Sequence, residues 1–185
     1  MVPQFGGAWL LGHTSPGDVF VPEDRNDEHR MIASTAQAFI DQEVVPRSDA
    51  LEGKDWDMAR RLLRQCGDLG LLSVDVPEAL GGVGLDVVSS VIVSEAMGRH
   101  ASFATTAGAH MGLCMVPLLW FGTDTQRSAY LPRLATGGLV GAYALSEAGS
   151  GSDALGARAT ASRLPDGGYQ LQLFLYTSPS PRDRG

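Results

Sequence analysis

The stretch YALSEAGSGSD, residues 143–153, joins a short apolar strand to a loop with very little side-chain bulk. Gly149 and Gly151 carry no Cβ atom that would hold a ligand away from the main chain. Three serines add hydroxyl groups to the uncovered backbone amides, namely Ser146, Ser150 and Ser152. The loop therefore offers hydrogen-bond donors at close range and suits a flat, electron-rich ligand.

Before this loop, apolar residues recur at helical spacing, and most of the segments follow a residue that can cap a helix. The segment over residues 102–121 is apolar around much of its circumference, and we expect it to be buried. Residues 1–25 are rich in Gly and Pro, with an apolar knot at Trp9, and indicate an irregular arm. The first predicted helix runs from Asn26 to Val45 and is ended by Pro46. The other predicted helices run from Asp55 to Gly67, from Asp86 to Gly98, over 102–121, and from Thr123 to about Leu134. Pro132 is expected to kink or end the last of them.

After Gly138 the period changes from helical to extended. Residues 157–163 alternate Ala with polar residues, and a second alternating segment follows the Pro-Asp-Gly-Gly turn at 165–168. In that segment Tyr169, Leu171 and Leu173 alternate with glutamines, which predicts a β-hairpin. Two or three strands leave an open edge and half an apolar face, so we expect a β domain to begin here without being finished. The predicted fold class is α+β, with an all-α N-terminal domain followed by the first strands of a β domain.

Composition limits the classes of function. The 185 residues include 14 Lys and Arg against 21 Asp and Glu, a net charge of −7, which argues against a nucleic acid partner. Cys66 and Cys114 lie in apolar helical patterns, so we expect buried free thiols rather than a disulfide or a metal site. We find neither a leader pattern nor an apolar run that approaches the roughly 18 residues of a membrane span. The sequence predicts a soluble, cytoplasmic protein, or one of the mitochondrial matrix if the source is eukaryotic.

Four segments together resemble the acyl-CoA dehydrogenase family. YALSEAGSGSD is similar to its flavin-binding signature, in which an aromatic residue or Cys, an aliphatic pair, Ser/Thr-Glu and Gly-Ser-Asp follow one another. Ala148 departs from it, because the family usually has Pro there, and this change loosens the loop without removing a donor. The other segments, in the family's order over roughly residues 18–173, are VDVPEALGGVGLD (74–86), FGTDTQRSAYLPRLATGG (121–138) and DGGYQLQ (166–172).

The resemblance implies an irregular arm over residues 1–25, a helical domain over 26–138 and the start of a β-barrel middle domain over 139–173. In the family, Asn-Gly, a Lys and a Trp-Ile-Thr segment follow, whereas FLYTSPSPRDRG follows Leu173 here. LYTSPSPRD looks like a translated sequencing adapter, so we expect residues 174–185 to be a non-native tail that is not part of the fold. The alternative is a natural Pro/Ser linker. On either interpretation we expect an N-terminal fragment.

The resemblance also implies the chemistry: FAD as cofactor, acyl-CoA as substrate and an electron-transfer flavoprotein as electron acceptor, in a protein that is a homo-oligomer at full length. A Glu of the family's second helical domain removes the proton α to the thioester while hydride leaves the β carbon for the flavin, giving a trans-2-enoyl-CoA in fatty acid β-oxidation. No residue of this chain matches that Glu, so we expect the chain alone to be inactive. At Glu147 we expect a role in ordering the loop.

Five positions match flavin contacts of the family. Ser146 matches the residue whose hydroxyl and amide reach the N5 and O4 edge of the flavin, where donors stabilise the negative charge that appears on reduction. Ser152 matches the residue at the boundary of flavin and acyl-CoA, and so is predicted to contact both cofactor and substrate. The remaining matches, to backbone and packing contacts, are Tyr143, Leu145 and Gly151.

The helix predicted over 102–121 matches the one that lines the acyl pocket in the family. It carries the small residues Ala104, Ala107, Gly108, Ala109 and Gly112, which leave room for a long acyl tail. The alternative is that these residues serve close helix packing. The overall sequence, including GAHMG (108–112) and SGSDA (150–154), also resembles the long-chain and very-long-chain branch more than the short-chain one.

Three other interpretations compete with the flavin loop. GSGSDA at 149–154 satisfies a permissive dinucleotide fingerprint, which requires a helix after it. Ser152, His110 and Asp153 could form a hydrolase triad, although no Gly-x-Ser-x-Gly elbow is present and His110 falls in mid-helix. Finally, the chain could be a non-enzymatic helical interaction module in which the glycine loop only connects helices to a hairpin.

Overall fold

The computed structural model describes residue 12, residues 20–147 and residues 149–172. The apolar knot at Trp9, position 148, Leu173 and the tail over 174–185 lie outside the described residues. The chain divides between Gly141 and Ala142 into a helical unit and a smaller unit that contains the strands.

The helical unit is built from helices joined by short turns. The helix from Asp27 continues through a π-helical turn at Ile40–Val44 and a 3-10 turn at Val45–Arg47. The bounds are α1 Asp27–Phe39, α2 Ser48–Glu52, α3 Trp56–Asp68, α4 Val87–Met97, α5 Ala101–Phe121 and α6 Asp124–Ala135.

The predicted N-caps are confirmed. In each case a side-chain oxygen accepts a hydrogen bond from a backbone N–H of the first helical turn, which satisfies one of the free donors there. The pairs are Asn26 with His29, Asp55 with Met58, Asp86 with Ser89, and Thr123 with Gln126.

The structure contradicts the expectation that Pro46 and Pro132 end their helices, whereas a kink at Pro132 stays a prediction. Pro46 does not end the helical path, because it lies at the start of a 3-10 turn, where its missing N–H is not needed. Pro132 does not end α6, which runs on to Ala135. Beyond the proline, Leu134 and Ala135 are buried, and this burial offsets the lost backbone hydrogen bond.

Helix α5 is less buried than predicted. Only 22% of its most apolar stretch is covered within the described residues, and Trp120 and Phe121 near its end are 71% and 83% exposed. Contrary to the sequence-based expectation, this 21-residue helix is long and apolar enough to cross a membrane by length and composition. Those two properties are weak evidence for a span, since core helices of soluble proteins share them.

The core of the helical unit lies between α1, α3, α4 and the first turns of α5. Phe39 and Phe103 meet there with ring centroids 5.9 Å apart. The loop between α3 and α4 also contributes, because it folds back on itself through hydrogen bonds from Val83 N to Ser73 O (3.0 Å) and from Leu85 N to Val74 O (2.7 Å). This loop also supplies buried side chains, among them Leu71, Leu72 and Val74.

In the second unit, β1 (Thr160–Arg163) pairs antiparallel with β2 (Tyr169–Gln172), which confirms the predicted hairpin. Ala161 lies opposite Leu171 and Arg163 opposite Tyr169, so the apolar side chains share one face. Both strands are exposed along their length. The predicted α+β class, helices first and strands after, is confirmed.

Candidate functional site

The loop at Ser146–Asp153 is closed by its own backbone. Glu147 N donates to Ser150 O at 2.8 Å, and Ser150 N donates to Glu147 O at 3.2 Å. The Ser150 side chain is buried, and its hydroxyl donates to the carbonyl oxygen of Asp153. The expectation that Ser150 offers a donor to a ligand was therefore wrong, because both of its donors are used within the loop.

The five predicted contact residues all lie on the outside of this unit. Tyr143 is 51% exposed and Leu145 39% exposed. Ser146, Gly151 and Ser152 are exposed as well, and neither serine side chain makes a hydrogen bond to another described residue. Their assignment to flavin and acyl-CoA stays a prediction.

Gly149 and Gly151 are not required by the backbone. Neither is among the described residues with a left-handed φ, and a Cβ built on either would meet no atom of the described residues within 4 Å. By contrast, Gly167 of the hairpin turn has φ 87°, where glycine is needed for conformation. Neither conformation nor contacts among the described residues require glycine at 149 or 151. That these positions open the main chain to a ligand stays a prediction.

The Glu147 side chain ties the loop to the strand that follows. One carboxylate oxygen accepts from Arg158 N at 2.8 Å and the other from Ala159 N at 2.8 Å. Both donors stand just before β1. This agrees with the loop-ordering role expected for Glu147.

The structure overturns the dinucleotide interpretation of GSGSDA. The residues after it form one 3-10 turn, Ala154–Gly156, and then lead into β1. A phosphate-binding fingerprint needs a helix whose N-terminus faces the ligand, and within residues 149–172 none follows.

The helical unit contains a separate cavity of about 170 Å³ between α4, α5 and the loop after α3. Its α5 wall includes Gly108 and Gly112, and a Cβ at either would meet no atom within 4 Å. Polar groups line it only at Asp75, Ser90 and Ser94. The other lining residues are apolar: Leu72, Val76, Met111, Met115, Val116 and Leu119.

Of the five small residues predicted to leave room along α5, two line this cavity. Ala107 is fully buried in the core instead, and Ala104 packs against that core. Ala109 does not line the cavity. Packing therefore explains two of the alanines, whereas Gly108 and Gly112 leave space.

A π-helical segment, Ala109–Met115, interrupts α5 beside the cavity. Such segments are often found at functional sites, because the wider turn re-aims side chains. Here Met111 and Met115 line the cavity, while His110 is fully buried.

Both nitrogens of His110 are engaged. Gly141 N donates to Nδ1 at 2.8 Å, so Nε2 carries the proton and donates to Leu134 O at 3.0 Å. Burial lowers the pKa of His110, and the bond to the Leu134 carbonyl opposes this in part. An imidazole held in this way cannot act as a general base, so the hydrolase triad is wrong. The sequence placed His110 in mid-helix, and no local signal marked its two distant partners.

The cysteines are free thiols, as predicted. Cys66 is fully buried, and burial raises its pKa to about 12, whereas Cys114 is half-buried. In the part of the chain that the structure describes, no group of three or more His, Cys, Asp or Glu residues could hold a metal ion.

Comparison with known proteins gives the class. The family described as "Acyl-CoA dehydrogenase, N-terminal domain" matches residues 26–138, more than half of the chain. The chain belongs to the acyl-CoA dehydrogenase family, a family of FAD-dependent oxidoreductases. This membership favours an oxidoreductase over the interaction module.

Individual relatives agree. The chain is 46% identical over 158 residues to a "Probable acyl-CoA dehydrogenase" of Bacillus subtilis (strain 168), covering 85% of this chain and 27% of that protein. It is 36% identical over 155 residues to the "Short-chain specific acyl-CoA dehydrogenase, mitochondrial" of Homo sapiens, covering 83% and 36%. The crystal structure of an acyl-CoA dehydrogenase complexed with FAD from Bacillus anthracis matches with 48% identity and a TM-score of 0.86, covering 91% and 29%. The chain thus spans about a third or less of these proteins.

Proposed function

We propose that this chain supplies the flavin-contacting loop and part of the acyl pocket of an FAD-dependent acyl-CoA dehydrogenase, which introduces a trans-2 double bond into fatty acyl-CoA thioesters. Family membership supports the reaction class. The observation that carries the proposal is the pair Gly149 and Gly151, which neither backbone conformation nor packing explains.

The residues present fit FAD. The loop presents exposed main chain at two glycines and exposed hydroxyls at Ser146 and Ser152. Such donors, fixed in advance, stabilise negative charge at a flavin edge without reorganisation. When bound, FAD would accept the hydride that leaves the β carbon.

The protein's own residues would bind and orient. We assign Ser146 to the N5 and O4 edge, and Ser152 to the boundary with acyl-CoA. Tyr143, Leu145 and Gly151 are assigned to backbone and packing contacts with the flavin ring. The proton-abstracting Glu implied by the resemblance has no counterpart here, and Glu95 and Glu147 are occupied, the first by an ion pair with Arg25 at 3.0 Å.

A chimera tests this function. Residues 20–172 would replace the matched segment of the Bacillus anthracis acyl-CoA dehydrogenase, and the product would be assayed for bound FAD and for enoyl-CoA formation with an artificial electron acceptor. We expect a yellow, active protein. Gly151→Val, which fills the open space, should abolish FAD binding, whereas Leu155→Ala at a 99% exposed side chain should not. A colourless chimera, or equal FAD affinity in both variants, would contradict the proposal.

We further propose that the acyl group is long. The relatives do not support the long-chain branch, since the human protein is described as short-chain specific and the Bacillus subtilis protein by no chain length. The support for a long acyl group is the apolar cavity with its two open glycines. Each buried CH₂ contributes about 0.8 kcal/mol, so kcat/KM should rise with acyl length until the cavity is full.

Measuring the chimera on C4 to C18 acyl-CoAs decides the chain length. We expect a maximum at C12 or beyond, which Gly112→Phe moves to shorter chains. Ala109→Phe, three positions away on the same helix but outside the cavity, is the matched control and should leave the optimum in place. A maximum at C4 to C6 would reject the long pocket.

The remaining proposals follow from the family. We propose an electron-transfer flavoprotein as electron acceptor, a homo-oligomer at full length, and a cytoplasmic location, or the mitochondrial matrix if the source is eukaryotic. Detection of electron transfer from the active chimera to a purified electron-transfer flavoprotein tests the first of these.

A further inference from the structure

The loop that carries the predicted flavin contacts is held by two sets of hydrogen bonds. Inside the loop, the backbones of Glu147 and Ser150 exchange two hydrogen bonds, and the Ser150 hydroxyl donates to Asp153 O. At its far end, Arg158 N and Ala159 N each donate to the Glu147 carboxylate, both at 2.8 Å. Glu147 takes part in both sets of hydrogen bonds.

We propose that Glu147 is a positioning residue, whose carboxylate latches the loop onto the residues before β1 so that the loop meets the flavin in a preset shape. The inference rests on the proposed function. In a charge-assisted bond the carboxylate holds an N–H roughly twice as strongly as a neutral acceptor does. Two such bonds to consecutive amides fix the direction of the strand as well as its distance.

The chemistry of the latch explains why an acid is needed. A carboxylate has two acceptor oxygens and no donor, which matches two adjacent N–H groups. In Glu147→Gln one oxygen becomes an NH₂ group that faces a backbone N–H, so one bond is lost and two donors oppose each other. In Glu147→Asp the side chain is one methylene shorter and cannot keep both bonds at the same backbone geometry.

Residues assigned to the flavin lie close to Glu147 in the sequence. Ser146 directly precedes Glu147 in the sequence, and Gly151 and Ser152 lie between Glu147 and its hydrogen-bond partners Arg158 and Ala159. Little else holds this segment, since Ser150 is its only buried residue in the part that the structure describes. A change at Glu147 should therefore move the assigned flavin contacts without touching the flavin.

Limited trypsin digestion of the intact chain tests the latch itself. The bond after Arg158 lies between the two latched amides, and the bond after Arg163 lies in the paired strand β1. In Glu147→Gln we expect cleavage after Arg158 to accelerate about tenfold relative to cleavage after Arg163, the ratio that corresponds to losing one hydrogen bond to a charged group. The matched control is Asp166→Asn, because Asp166 accepts from Gly168 N at 2.9 Å in the same unit. An unchanged ratio in Glu147→Gln would overturn the latch.

The positioning role is tested in the chimera at saturating FAD, by the visible circular dichroism and the reduction potential of the flavin. We expect Glu147→Gln to change both and to raise the FAD Kd about tenfold, while Asp166→Asn changes neither. If Glu147 only supported the fold, thermal stability would fall and the saturated flavin signals would stay as in the parent, which would overturn the proposal. A parent chimera that binds no FAD would overturn the proposed function and the positioning role together, whereas the trypsin ratio decides the latch independently.

Discussion

His110 allows the sharpest test of how the helical unit is held together. Its ring is fully buried and joins three parts of the unit: α5, the end of α6 at Leu134, and the residue that leads out of the unit, Gly141. Replacing it by Leu keeps the apolar packing and removes both hydrogen bonds. The two partners are not equally affected. Leu134 O also accepts from Gly137 N at 2.9 Å, whereas His110 Nδ1 is the acceptor that the structure gives for Gly141 N.

The expected loss follows from this asymmetry. Leaving the buried N–H of Gly141 without an acceptor costs about 1–3 kcal/mol. Removing one donor from the Leu134 carbonyl costs less, because that carbonyl still accepts from Gly137 N. We therefore expect His110→Leu to lower the free energy of unfolding by about 2 kcal/mol, or the Tm by roughly 4–8 °C for a chain of this size. His110→Asn places an acceptor near the position of Nδ1, and His110→Gln places a donor near that of Nε2. Asn should recover more stability than Gln.

Urea unfolding of the four proteins at pH 7.5, followed by circular dichroism, measures these differences. Repeating the series at lower pH adds a second check. Because burial lowers the folded-state pKa of His110 below 6.5, the unfolded state takes up the proton first. The stability that His110 contributes is then fully present above about pH 6.5 and is lost as the pH falls through 6.5 towards the folded-state pKa. The gap between wild type and His110→Leu should narrow on acidification. A constant gap, or a Gln variant that is as stable as the Asn variant, would refute the reasoning.

Three further outcomes are expected. Ser146→Ala in the chimera should slow flavin reduction by less than the roughly 10² found for a lost preorganised donor, because the amide remains, and should lower the flavin potential; unchanged values would mean that Ser146 only shapes the turn. A thiol reagent at pH 8 should label Cys114 before Cys66, whose burial and pKa of about 12 protect it until the chain unfolds, so equal labelling rates would contradict the burial. The 185-residue chain by itself should show no acyl-CoA oxidation and should aggregate through its open hairpin, and turnover at an enzymatic rate would disprove this.

The sequence predicted the local structure well where a local cause exists. Asn26, Asp55, Asp86 and Thr123 were recognisable as caps, because a short polar side chain before an apolar helical pattern satisfies a donor two or three residues away. The hairpin was recognisable from its alternation and turn residues, which also act over a few positions. Pro46 does not end its helical path, because it stands at the start of a 3-10 turn, where its missing N–H is not needed. Helix α6 runs past Pro132 because the burial of Leu134 and Ala135, a tertiary effect, outweighs a local rule.

The site shows the same division. The sequence indicated the loop and its five exposed positions through a resemblance to a family signature, and it suggested small residues along α5. The structure decided that Ser150 faces inward, that only Gly108 and Gly112 of those small residues open onto the cavity, and that Glu147 reaches Arg158 and Ala159. Each of these depends on which groups the folded chain brings together.

By itself, the sequence determined five of the six helices in the described residues, four N-caps, the change to extended structure after residue 138, and the family. These follow from interactions within a few residues, or from motifs whose order is written along the chain. The sequence did not indicate the short helix α2 after Pro46. The tertiary structure alone decided that His110 would be a neutral imidazole with both ring nitrogens hydrogen-bonded, since its partners lie 24 and 31 residues away in the sequence. It also decided that Gly149 and Gly151 are free of conformational need, because only coordinates tell a glycine that the backbone requires from one that leaves space for a ligand.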